Sequence, residues 1–323
     1  MSQNLAHNSF AEIYTDQKGR KVIRKRSKLS LPRKEVEKVA DMIRYQRESF
    51  AKMKVPTSDL LSLEVVGGEE QAQIQIIELF AGADFSDIVD NDNYPMYLDR
   101  LLDDIFAPLL LAKSNAGEDG WLDIGIDGIP RNFVYSIREN QFLYVDFFPP
   151  KVRWNGRHIQ EIPETPSEEF FKIRMMAHNS APGIIYNLYI NLIRDFPDQL
   201  PLTVGKLEQF CREIGREDAF SSIADSPLYR EDEATAIKEI IDTLGDWHGQ
   251  NFYLLREAAN WLGFHSKSFP EKKKKAVFDL TKQGRDPKGE DYGIISKEKF
   301  VQVKQILLDE LNARSNRRHS SKF

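Results

Sequence analysis

Apolar and polar positions follow two different periods in the first 80 or so residues, and the changes of period separate strands from a helix. Phe10-Ala-Glu-Ile-Tyr14 and Lys21-Val-Ile-Arg-Lys-Arg26 read as strands. They flank Thr15-Asp-Gln-Lys-Gly19, where Gly19 suits a hairpin turn. Val36, Val39, Ala40 and Ile43 then recur at helical spacing. Ser30 is the candidate cap, and Pro32 is tolerated in a first turn. The helix is predicted to run to about Phe50 and to stop near Pro56. Strands return in Leu61–Val66 and in Gln73–Phe80, where Ile74-Gln-Ile76 alternates, and Gly67-Gly68 marks the turn between them. The predicted order is β, β, α, β, β.

The next segment changes character. Leu98, Leu101, Leu102, Ile105, Phe106 and Leu109 form a helical stripe, and Pro108 is predicted to kink or shorten that helix. A loop through Asn115–Gly120 leads to Trp121–Asp127. Two short strands, Phe133–Ser136 and Gln141–Phe147, follow and are closed by Pro149-Pro150. From about Glu168 the pattern is helical, beginning with Phe170, Phe171, Ile173 and Met175. Later helices are predicted over Val204–Ile214, Glu233–Leu244, Phe252–Leu262 and Lys297–Leu311. Residues 312–323 carry Arg314, Arg317, Arg318 and Lys322 and no acid, which predicts a frayed basic tail. The class is α+β.

Composition narrows the function classes. A net charge of −5 over 323 residues gives no bulk reason to bind nucleic acid or an anionic membrane. The longest apolar run, Ile105–Ala112, contains Pro108 and is far below the roughly 20 residues of a membrane span. A cytoplasmic protein is expected. The single cysteine, Cys211, excludes an intrachain disulfide and lies on a helical stripe with Leu207, Phe210 and Ile214, so it reads as core. No His/Cys set has zinc-ligand spacing. Charge is uneven: bases dominate between Glu12 and Lys34, whereas 12 acids face only Arg100 and Lys113 between Glu78 and Asp127.

The chemistry concentrates in Ile126-Asp-Gly-Ile-Pro-Arg-Asn132 and Leu143-Tyr-Val-Asp-Phe147. An Asp, an Asn five positions later, a hairpin, and a second Asp ending an apolar strand supply what phosphoryl transfer needs. One carboxylate orients the acceptor and takes its proton, while an amide oxygen and a carboxylate hold magnesium on the phosphates. In this order the residues resemble the protein-kinase-like superfamily, and within it the aminoglycoside phosphotransferase and choline kinase branch. The resemblance covers roughly residues 1–155.

It implies a two-lobed α+β fold. Residues 1–82 would be a small β-rich lobe with one helix, residues 83–311 a larger, mainly helical lobe, and 312–323 the tail. It implies ATP or GTP with Mg2+ as cofactors, Asp127 as the catalytic acid–base group, and Asn132 and Asp146 as metal ligands. Lys25 of Val22-Ile-Arg-Lys25 matches the lysine that touches the phosphates, with Glu37 or Asp41 on the following helix as its acidic partner. Glu78, Leu79, Phe80 and Ala81 would form the hinge that reads the nucleobase. The partners implied are a nucleotide and a small-molecule acceptor.

Two departures bear on activity. The triplet Gly125-Ile126-Asp127 lacks the family's His before its Asp, and Leu5–Phe10, where the phosphate-covering loop is expected, has no glycine. They open a second reading, a pseudokinase scaffold whose helical lobe recruits a protein partner. A third is a non-kinase α+β binding protein whose acids face solvent. Retention of Asp127, Asn132 and Asp146 together favours an active phosphotransferase, and the early Pro149-Pro150 favours the small-molecule branch over a protein kinase.

Overall fold

Strands β1 (Ser9–Thr15), β2 (Lys21–Ser27), β3 (Leu60–Gly67) and β4 (Ala72–Leu79) form one antiparallel sheet in the order β1-β2-β4-β3. The computed structural model describes residues 9–27, 30–117, 120–154, 157–158, 177–225 and most of 301–313. The chain divides into two compact units, residues 1–160 and 161–323. In the first, β4 is a central strand and alternates as its sequence requires: Ile74, Ile76 and Glu78 are buried, and the residues between them are half-buried. Ile23 of β2 lies opposite Glu78, and Lys25 opposite Ile76. Residues directly opposite share a face of the sheet, so Lys25 and Glu78 are diagonal neighbours on the face that carries Ile74 and Ile76.

Helix α1 spans Arg33–Met53 and buries Val36, Ala40, Ile43, Gln46, Phe50 and Met53. The period that places Val36, Ala40 and Ile43 inside continues through Gln46, a polar residue on a buried stripe. Ser30 does not cap the helix. Pro32 occupies the cap position, no side chain bonds the first turn, and the Pro32 carbonyl accepts from the Glu35 and Val36 N–H groups. Lys54, with φ of 63°, ends the helix in the left-handed conformation.

After the short helix α2 (Phe85–Ile88), the apolar stripe becomes α3 (Tyr94–Leu101), a π-helical stretch over Leu102–Phe106, and α4 (Ala107–Leu111). The Ala107 N–H reaches back to the Leu102 carbonyl. Proline supplies no N–H and its ring crowds the carbonyl four residues earlier, so the wider turn just before Pro108 accommodates it. Strands β5 (Phe133–Ser136) and β6 (Gln141–Tyr144) make the predicted hairpin, with β6 ending two residues before Asp146. A small pair, β7 (Arg153–Trp154) and β8 (Arg157–His158), follows.

In the second unit, α5 (Ala181–Asp195) starts at Ser180, whose Oγ accepts from the Gly183 N–H at 3.0 Å. It is followed by α6 (Leu200–Glu213) and α7 (Ser221–Ala224). Cys211 on α6 is fully buried, and burial pushes its thiol up to about 12, so it is the inert core residue its spacing implies. The predicted helices at 233–244 and 252–262 and the apolar cluster at 170–175 lie outside the described residues. Among the described residues no helix is long and apolar enough to cross a membrane.

Candidate active site

Lys25 enters the site from β2. Its Nζ lies 2.8 Å from Glu78 Oε2 and donates to the Val145 carbonyl at 2.5 Å. One lysine thus ties the sheet to the segment that carries Asp146. Its acidic partner is Glu78 of β4, in place of Glu37 or Asp41. Glu37 is exposed and faces Arg33 at 3.7 Å, and Asp41 is exposed and pairs with Arg44 at 2.6 Å. The cause is helical phase: 37 and 41 fall outside the buried stripe 36, 40, 43, 46, 50.

What α1 sends toward Lys25 is a base. Arg47 Nη1 lies 2.6 Å from Glu78 Oε1, its Nη2 donates to the Ser58 carbonyl, and its guanidinium stacks 4.4 Å from the Phe147 ring centre. Ser58 Oγ also donates to Glu78 Oε1, at 2.7 Å. Glu78 is 1% exposed. Burial by itself raises its carboxyl, but Lys25 and Arg47 outweigh that and hold it below the ordinary carboxylate range. A charge this deep is tolerable only because two cations and a hydroxyl satisfy it.

The segment 79–83 meets the hairpin. The Leu79 N–H donates to the Asp59 carbonyl and the Phe80 N–H to the Lys21 carbonyl, while the Ala83 carbonyl accepts from the Tyr135 N–H. Ala81 is half-buried, and no hydrogen bond joins its backbone to another described residue. Gly82 has φ of +148°, and a Cβ there would meet the Tyr135 carbonyl oxygen at 2.4 Å. Gly82→Ala is therefore expected to cost about 2 kcal/mol or more, from strain and from displacement of this strap; chemical denaturation measures it.

Asp127 and Asn132 bound a loop ending in a 3-10 turn, Pro130–Asn132. The Asp127 N–H donates to Tyr144 Oη at 3.2 Å, and the Asn132 amide reaches the Asp127 carbonyl at 3.4 Å. The Val145 N–H donates to the Asn132 carbonyl at 3.0 Å, which sets Asn132 beside the strand leading to Asp146. The Asn132 amide nitrogen lies 3.5 Å from Asp146 Oδ2, so the two side chains that the sequence assigns to a metal are neighbours. An amide and a carboxylate supply hard oxygen donors of the kind Mg2+ takes. Burial raises the Asp146 carboxyl above its ordinary range; Lys151 pulls it down, Asp127 pushes it up and Lys25 pulls it down, with burial prevailing. A desolvated carboxylate of this kind gains from a nearby cation.

Four residues not assigned from the sequence complete the arrangement. Tyr144 is fully buried beneath both acids, and burial, then Asp146 and Asp127, keep its hydroxyl protonated well above the ordinary tyrosine range. Gln46 Nε2 donates to the Gly125 carbonyl at 3.0 Å, and its Oε1 accepts from the Lys151 N–H at 3.2 Å. Arg47 binds Glu78, and Lys151 faces Asp146. Gln46 was signalled by its place on an apolar stripe; Arg47, Lys151 and Tyr144 carried no comparable signal. Phe147, the aromatic after Asp146, is buried against Phe50 and Tyr144 at ring distances of 5.8 Å and 5.4 Å. Of the region Leu5–Phe10 expected to cover phosphates, Ser9 and Phe10 begin β1 and the rest lies outside the described residues.

In the first unit an antiparallel sheet with one helix inserted between its second and third strands is followed by a helical stretch, a loop and a hairpin. No family model matches the chain, and no curated protein matches it. Solved structures that the chain matches include amicoumacin kinase hAmiN in complex with AMP-PNP, Ca2+ and Ami, at 12% identity and TM-score 0.42, covering 97% of this chain and 88% of that one. Another is the pseudokinase domain of BIR2, an immune regulator of the RLK/Pelle family. It is 12% identical, with TM-score 0.37 and coverage of 84% and 82%. A further apo pseudokinase is 11% identical, with TM-score 0.31 and coverage of 94% and 89%. With TM-scores below 0.5, these likenesses carry no conclusion about this chain.

Proposed function

We propose that the chain is an ATP- or GTP-dependent phosphotransferase acting on a hydroxyl or amine of a small molecule. The observation that carries the reading is the convergence of Lys25, Asp127, Asn132 and Asp146, from three stretches of sequence, on one site. Asp127 would orient the acceptor and take its proton. Lys25, held by Glu78 and the Val145 carbonyl, would present its remaining hydrogen-bonding capacity to the phosphates. Ala81, whose backbone makes no hydrogen bond to another described residue, is the hinge residue best placed to read the base. Asn132 and Asp146 would hold Mg2+, which offsets charge developing on the transferred group. In this proposal residues 1–82 form the nucleotide-binding lobe and residues 83–311 the remainder.

The pseudokinase reading is favoured by one specific observation: Lys25 and Asp146, two groups a nucleotide complex would use, each already have an oppositely charged neighbour within the chain. Thermal shift separates the two readings. ATP or GTP with Mg2+ is expected to raise the melting temperature of the wild type, and Asp146→Ala is expected to abolish the Mg2+-dependent part of the rise. A folded protein that responds to no nucleotide sinks the phosphotransferase proposal and directs the search to protein partners.

A further inference from the structure

Lys151 is a charged residue whose side chain is 3% exposed, and it lies beside the proposed metal ligand. Its Nζ donates to the Pro149 carbonyl at 2.7 Å and stands 3.7 Å from Asp146 Oδ2. Its backbone is pinned on both sides. The N–H donates to Gln46 of α1, the carbonyl accepts from the Gly125 N–H at 2.8 Å, and Gln46 in turn donates to the Gly125 carbonyl. This ring of bonds joins α1, the approach to Asp127 and the segment after Asp146. The ammonium group is therefore positioned by three elements at once and does not drift with a surface loop.

Burying an ammonium group is costly unless an opposite charge stands near it, and among the described residues Asp146 is a carboxylate that it faces. Lys25, another cation near Asp146, is engaged by Glu78 at 2.8 Å. From this geometry we infer that Lys151 is a built-in counter-ion of Asp146 that competes with a divalent cation. Resting on the phosphotransferase reading, the inference adds that the site does not load metal in advance. Divalent metal enters with the nucleotide, whose phosphates supply the negative charge that Asp146, already compensated, lacks. The 3.7 Å separation is an ion pair without close hydrogen-bond contact, which an incoming cation could displace by a small shift. Lys151 is thus a positioning residue acting through Asp146.

The test is binding of Mn2+ alone to the nucleotide-free full chain, with free Mn2+ counted by electron paramagnetic resonance. Wild type is expected to bind only in the millimolar range. Lys151→Met is expected to bind about tenfold tighter or more, since a unit charge a few ångströms away has been removed. Lys151→Arg keeps the charge and is expected to match wild type, and Asp146→Asn in the Lys151→Met background is expected to lose the gain. Equal Mn2+ affinity in wild type and Lys151→Met overturns the inference. So does micromolar binding by wild type, which requires no variant to fold. If Mn2+ affinity is unchanged by Lys151→Met while ATP with Mg2+ still raises the melting temperature, the counter-ion role falls and the phosphotransferase reading stands.

Discussion

Glu78→Gln is expected to lower stability by about 3–5 kcal/mol, because it leaves two buried cations facing a neutral amide. At the size of this chain that corresponds to a fall in melting temperature of roughly 6 °C or more. The same substitution should release Lys25 and weaken nucleotide binding, whereas Glu37→Gln, at an exposed position paired only with Arg33, should change neither by much. The pH dependence has a definite sign. In the folded chain the Glu78 carboxyl lies below its ordinary value of 4.5. The unfolded chain therefore takes up this proton first as the solution is acidified. The contribution of Glu78 is complete above the ordinary value and is lost as pH falls through the lower, folded-state value. Acidification through this range should accordingly erode the stability of wild type, and Glu78→Gln should remove this part of the acid dependence. A Glu78→Gln protein that melts within 1–2 °C of wild type would show that the buried triad is not the junction described here.

Asp127→Ala should have the second large effect, and on a different quantity. The carboxylate is half-buried, and the bonds seen at Asp127 that shape its loop come from its backbone N–H and carbonyl. Turnover of ATP with an acceptor found by screening should fall about 10²–10⁴-fold, the usual contribution of a positioned acid–base group. Nucleotide binding by thermal shift should persist, in contrast to Asp146→Ala. Unchanged turnover in Asp127→Ala would remove it from the chemistry and leave the convergence of residues without its catalytic member.

The contrast between these two acids illustrates what a single chain can and cannot reveal. That Asp127, Asn132 and Asp146 lie close together was legible because short-range spacing brings them there. A loop of fixed length and one hairpin bring them together, and both are local. The strands, the apolar face of α1 and the disturbance at Pro108 were legible for the same reason, since periodicity and proline geometry act within a few residues. Even Gln46 left a trace, as a polar residue on an apolar stripe.

The partner of Lys25 left none. Glu78 reads in sequence as the last polar residue before a hinge, and Glu37 as an acid on the expected helix. The decision rests on two tertiary quantities: the register of β2 on β4, which sets Lys25 diagonally across from Glu78, and the phase of α1, which turns 37 and 41 to solvent and 47 toward the sheet. Neither is encoded in spacing along one element. Lys151 belongs to the same class, because its ammonium group meets Asp146 only after α1 and the Gly125 segment have pinned its backbone. Local periodicity alone determined the elements and the ordered acids. Long-range pairing, where buried charges must find counter-charges from distant segments, decided which bases and acids share the site.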